Sequence, residues 1–80
     1  MKKIIKIHTD FIKLGQLLKM INEIGNGAEA KIYLEEIEVL VNEEHETRRG
    51  RKIYPGYTLK IRGEEFFIER EINDWKTRIV

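Results

Sequence analysis

The sequence predicts an α+β domain with the element order β-α-α-β-β-β, on three observations. Apolar residues recur at helical spacing twice between Leu14 and Ile37. From Ile37 the period switches to two. Turn-forming Gly and Pro fall between these segments, with no internal repeat, linker or low-complexity stretch. Two helices followed by a run of strands is the pattern of an α+β layer architecture.

Residues 3–9, KIIKIHT, are rich in β-branched side chains and place Ile5 and Ile7 on one face, which predicts a strand. Leu14, Leu17, Leu18 and Ile21 then follow at i, i+3, i+4 and i+7, one face of a helix that starts between Asp10 and Lys13 and ends at Gly25. After the GNG of 25–27, AEAKIYLEE predicts a second helix. Ala30, Tyr33, Leu34 and Ile37 keep the spacing, and the small Ala28 and Ala30 permit close packing in an αα-hairpin. Ile37, Val39 and Val41 alternate as a strand, and Asn42-Glu43-Glu44 turns it. Pro55-Gly56 is a strong turn pair, because Pro presets φ and Gly accepts positive φ. YTLKIRG alternates again, Gly63-Glu64 turns, and EFFIEREI forms a last strand before the tail NDWKTRIV.

Eighty residues make a single domain spanning 1–80, with a core motif at about 12–61 and a C-terminal strand and tail at 62–80. A chain of this length buries only about 60–65% of its unfolded surface. With 41% hydrophobic and 36% charged residues it has one modest core and a wet surface. The absence of cysteine excludes disulfides and thiolate metal sites and points to the cytoplasm. The apolar stretch in MKKIIKIHTD is too short for a signal peptide and lacks a small-residue cleavage site. No run approaches the roughly 18 apolar residues of a membrane span.

Charge is where the sequence departs from the ordinary. The net charge is only +1, yet ETRRGRK packs Arg48, Arg49, Arg51 and Lys52 together, directly after six acidic residues and no Lys or Arg between Glu35 and Glu46. Arg offers a planar fork of donors that fits phosphate, and Lys a mobile point charge. Around Gly50 such groups can follow a phosphodiester backbone. A basic run alone serves equally as a solvated loop. Its segregation from the acids favours a dipolar surface that orients a polyanion. Lys13, Gln16 and Lys19 lie off the apolar stripe of the first helix, and Lys31 lies on the second; they either extend the patch or are ordinary exposed residues.

GNGAEAK offers glycines and amides to an anion, but it is neither a P-loop nor a dinucleotide fingerprint, and a helix–helix turn is the simpler reading. Tyr54, Tyr57 and Trp75 suit base stacking or rim packing, while Phe66 and Phe67 suit the core. There is no serine or cysteine nucleophile, and His8 and His45 lack metal-ligand spacing. No enzyme, cofactor or metal is expected.

The segments IKLGQLLK, GNGAEAK, EVLVN and above all ETRRGRKIYPG together resemble the S4 RNA-binding domain, most of all the small stand-alone bacterial S4 proteins of the YaaA type. The resemblance runs from Ile12 to about Ile61, and E-T-R-R-G-x-K after V-N is its most specific part. It implies the αL motif, a helical hairpin packed on a small, mainly antiparallel sheet. It also implies an RNA-facing surface of Lys13, Gln16, Lys19, Lys31, Asn42, Arg48, Arg49, Arg51 and Lys52. Gly15, Ile37 and Glu43 depart from the family pattern, which often has Asp, Gly and Gly there. The expected function is non-enzymatic binding of structured RNA, ribosomal or transfer RNA, by a cytoplasmic, ribosome-associated monomer with a ribosomal or other protein as further partner. The competing class is a protein-interaction adaptor that docks through an exposed C-terminal edge strand with Trp75 beside it.

Overall fold

The structure is a computed structural model, and it describes residues 2–71. Its elements are β1 (Lys2–Ile7), β2 (Ile12–Lys13), α1 (Leu14–Met20), a 3-10 turn (Gly27–Glu29), α2 (Ala30–Glu36), β3 (Val39–Val41), β4 (Glu44–His45), β5 (Lys52–Ile53), β6 (Thr58–Ile61) and β7 (Glu64–Arg70). Five strands form one sheet in the order β1-β7-β6-β3-β4, and β2 and β5 form a separate antiparallel pair. The helical hairpin and the mainly antiparallel sheet agree with the α+β expectation.

One sheet face is apolar and meets the helices. Alternate residues Ile5 and Ile7, Phe66 and Ile68, Leu59 and Ile61, and Val39 and Val41 are buried with Leu14, Leu17 and Leu18 of α1 and Ala30 and Leu34 of α2. Period two in the strands and period 3.6 in the helices thus converge on one core.

Three features were not legible in the apolar pattern. First, β1 pairs with β7 in parallel, Lys2 opposite Glu65 through Ile7 opposite Arg70, which places β7 between β1 and β6. The expected exposed C-terminal edge strand is therefore corrected: β7 is interior, and among the described residues the sheet edges are β1 and β4. Trp75, the other half of that reading, lies outside the described residues.

Second, α1 ends at Met20, well before Gly25. Asn22 adopts φ 64°, its N–H donates to the Lys19 carbonyl (3.1 Å), and the Glu23 N–H donates to Leu18 (2.9 Å). This is a Schellman stop built on Asn, which tolerates the left-handed region better than most residues. Glu23 then binds across the fold, accepting from the Tyr33 hydroxyl at 2.6 Å and from Arg62 in an ion pair. The Tyr33 hydrogen bond, helped by Arg62, holds the Glu23 carboxyl below its usual range, and burial together with Glu23 pushes Tyr33 up to about 12.

Third, the paired Ile12–Lys13 and Lys52–Ile53 segments tie the start of α1 to the basic loop. Two-residue strands are too short to show a period.

Candidate nucleic-acid interface

Glu46 organises the cationic loop. It is only 5% exposed, the one buried charged residue among those described. One carboxylate oxygen accepts from the backbone N–H groups of Thr47 (3.0 Å) and Arg48 (2.9 Å) and from Arg48 Nε (3.0 Å). The other accepts from Arg48 Nη2 (3.1 Å) and Arg51 Nη1 (2.7 Å). Hydrogen bonds from the Arg48 side chain and backbone, with Arg51 added, outweigh the cost of burial and pull the Glu46 pKa down to about 2. The sequence counted Glu46 as the last of the six acidic residues set apart from the basic run; the fold puts it under the arginines.

This divides the cations. Arg51 is a latch: its side chain is 25% exposed, ion-paired to Glu46, and stacked over Tyr57 at 5.9 Å. Arg48 shares Glu46, yet its side chain remains 74% exposed and presents its outer face to solvent. Arg49 and Lys52 are exposed and have no carboxylate partner within ion-pair distance among the described residues.

The loop then closes onto α1. The Leu14 and Gly15 N–H groups donate to the carbonyls of Arg51 and Arg49, both at 2.9 Å. The first amides of α1 are thereby occupied by the loop backbone. A Cβ at position 15 would lie 3.4 Å from the Arg49 oxygen and 3.5 Å from Ala30 Cβ, so the loop, α1 and the start of α2 meet at this glycine. Lys13 sits directly opposite Lys52 across the β2–β5 pair. A shallow cradle of about 320 Å³ results, lined by Lys13, Gly15, Gln16, Gly27, Arg49 and Gly50. Gly27 and Gly50 leave its walls open, with nothing within 4 Å of an added Cβ.

The cradle brings together Lys13, Gln16 and Arg49, with Lys52 beside Lys13. Lys19 lies one helical turn beyond Gln16 and is exposed. Lys31 is exposed on α2, next to the Ala30 that packs on Gly15. Asn42 is not gathered in. Its side-chain oxygen accepts from the Thr58 N–H and its own N–H donates to the Thr58 carbonyl, both at 2.9 Å, so it secures β3 to β6.

The GNGAEAK segment is filled by its own side chains. Asn26 accepts from the Ala28 N–H (2.9 Å) and Glu29 from the Gly25 N–H (2.7 Å), which leaves a helix–helix turn as expected. Phe11 was overlooked in the sequence, although it stands one residue before the IKLGQLLK motif. Its ring lies 4.9 Å from Lys52 Nζ and 5.6 Å from Tyr54. Among the described residues there is no acidic or histidine cluster suited to a metal ion, and no helix long and apolar enough to cross a membrane.

Comparison with known proteins agrees with this architecture. The S4 domain family matches residues 5–69. A probable ribosome maturation protein RlbA from Bacillus subtilis (strain 168) is 51% identical over 59 residues, which is 74% of this chain and 83% of that protein. No solved structure matches the chain. A helical hairpin on a mainly antiparallel sheet, the ETRRGRK loop closed onto the first helix, and a family match over most of the length lead to one conclusion: the chain belongs to the S4 domain family.

Proposed function

We propose that this protein binds structured RNA, ribosomal or transfer RNA, without catalysis, through a cationic strip that runs from α1 across the β2–β5 pair to the 48–52 loop. The observation that carries this reading is the placement of Lys13 opposite Lys52. Like charges facing each other across a ladder oppose folding, where a favourable cross-strand pair contributes about 0.2–1 kcal/mol. An anionic ligand lying between them turns that cost into affinity. Arg49 adds a third cation beside a glycine-lined cradle, and none of the three has a carboxylate partner among the described residues.

Phosphate is the group that fits exposed, convergent Lys and Arg on a surface with little carboxylate. A duplex RNA major groove is too narrow for side chains, so backbone and 2′-OH contacts dominate the recognition. The ribosome maturation role in the relative's name favours ribosomal RNA, encountered in the cytoplasm.

The test is a fluorescence anisotropy titration with a structured ribosomal RNA fragment over a range of salt. With about five phosphates neutralised, log K falls against log salt with a slope of about −3.5 to −4.5. Replacing Lys13, Arg49 and Lys52 by Ala weakens binding strongly and flattens the slope by about 2. All three are exposed, so the fold should survive. Unchanged affinity and slope in the folded triple variant would exclude the strip.

A further inference from the structure

We propose that the groove beside Phe11 accepts an unstacked nucleobase of the bound RNA. The proposal rests on the RNA-binding reading and adds to it a site for a base rather than a phosphate. The groove measures about 590 Å³ and lies between the end of β1, the turn after it and α1. Ile7, Phe11, Ile12 and Met20 supply an apolar floor and wall, and Gln16 and Lys19 stand at its α1 side. His8 and Thr9 complete the lining, which contains no carboxylate.

Its position decides the occupant. Gln16 lines both this groove and the cationic cradle, so it forms the ridge between them. A nucleotide whose phosphate rests among Lys13, Arg49 and Lys52 has its base within reach of the neighbouring concavity. Next to Phe11, cations and aromatic rings alternate. Lys52 Nζ lies over the Phe11 ring, Phe11 tilts against Tyr54, and Tyr54 tilts against Tyr57 at 5.7 Å, which carries Arg51.

Aromatic faces interleaved with cations match a ligand that is itself a flat ring joined to an anion. Gln16 adds an exposed carboxamide, with a donating NH2 and an accepting carbonyl oxygen, suited to a base edge. Its present contact with the Lys13 N–H is long, 3.5 Å, and is readily exchanged for a ligand. An acidic or zwitterionic peptide would need only the cations. A neutral apolar partner would gain nothing from Lys19 and Lys52 at the rim. A nucleobase uses both.

The test compares two RNA hairpins that differ at one unpaired nucleotide, which either carries its base or is abasic, so that the phosphates are the same. The protein is expected to bind the base-bearing hairpin about 10-fold more tightly, within the range that stacking on an aromatic side chain supplies. Phe11→Leu, which keeps an apolar side chain in place, and Met20→Gln, which makes that exposed wall polar without changing its charge, should each erase most of that preference while leaving the abasic affinity unchanged. A 4-thiouridine at the unpaired position should crosslink to the Phe11–Met20 region.

Equal affinity of the wild-type protein for the two hairpins overturns the proposal, and a groove filled by another part of the chain or by a second copy would give the same equality. A preference undiminished in both variants, or crosslinks confined to other surfaces, overturns it too. The RNA-binding reading survives those results as long as the abasic hairpin still binds with a steep salt slope. Failure of both hairpins to bind would remove that reading instead.

Discussion

Glu46 shows why counting charges along the chain misjudges this protein. Summed by sequence, it subtracts one from a cluster of four cations. In the fold it receives hydrogen bonds from two backbone amides and two guanidinium groups, and it sets the loop backbone whose carbonyls cap α1. Replacing it by Gln adds one unit of positive charge, which by electrostatics alone would strengthen RNA binding and steepen the salt slope. The structure predicts the reverse, because a Gln amide directs an NH2 at the arginines and the loop loses its frame. RNA affinity should fall several-fold in E46Q, measured by the same anisotropy titration; a rise would show that loop order contributes nothing.

The same carboxylate makes stability depend on pH. Its folded pKa of about 2 lies below the ordinary 4.5, so its contribution is fully present above pH 4.5 or so. It is lost as pH falls from there towards about 2. Screened by the solvent around so small a protein, it amounts to about 1–2 kcal/mol. Urea denaturation of the wild type and E46Q should converge as the pH is lowered through that window.

Elements were legible in proportion to how local their signals are. The apolar spacing of Leu14, Leu17 and Leu18 and of Ala30 and Leu34 identified both helices, and alternation identified β3, β6 and β7. Pro55-Gly56 turned as expected, with Gly56 at φ 95° and the Tyr57 N–H bonded to the Tyr54 carbonyl (3.1 Å). The α1 stop was missed because Asn22, rather than Gly25, takes the left-handed position.

The β3–β4 hairpin is the element with the clearest cost. Val41 pairs with Glu44, so the turn has two residues, Asn42 at φ 51° and Glu43 at φ 72°. Asn suits this mirror-image turn, whereas Glu pays for its Cβ. Glu43→Gly should stabilise the protein by about 1 kcal/mol, seen as a higher urea midpoint with an unchanged slope. A lower midpoint would mean that the weak 3.9 Å pairing of Glu43 with Lys60 outweighs the backbone.

At the scale of the whole molecule, the pairings on which the core and the proposed strip depend join segments far apart in sequence. β1 meets β7, and β2 meets β5. The first makes one closed core; the second sets Lys13 beside Lys52. Neither could be read from periodicity, since β2 and β5 have two residues each and parallel pairing leaves no turn between its strands. The candidate cations themselves were legible, as a cluster and through the S4 resemblance. Their division into Arg51 as an internal latch and Lys13, Arg49 and Lys52 as the open strip required the fold, as did the diversion of Asn42 to β6.

The outer sheet face, where Ile4 pairs with Phe67 on the side away from the helices, provides a built-in control surface. Amide chemical-shift mapping during titration with a structured ribosomal RNA fragment tests the central claim most directly. Shifts concentrated at Lys13, Gly15, Gln16, Gly27, Arg49, Gly50 and Lys52, with Ile4 and Phe67 unmoved, are predicted. Shifts centred on Ile4 and Phe67, with the cradle silent, would contradict it.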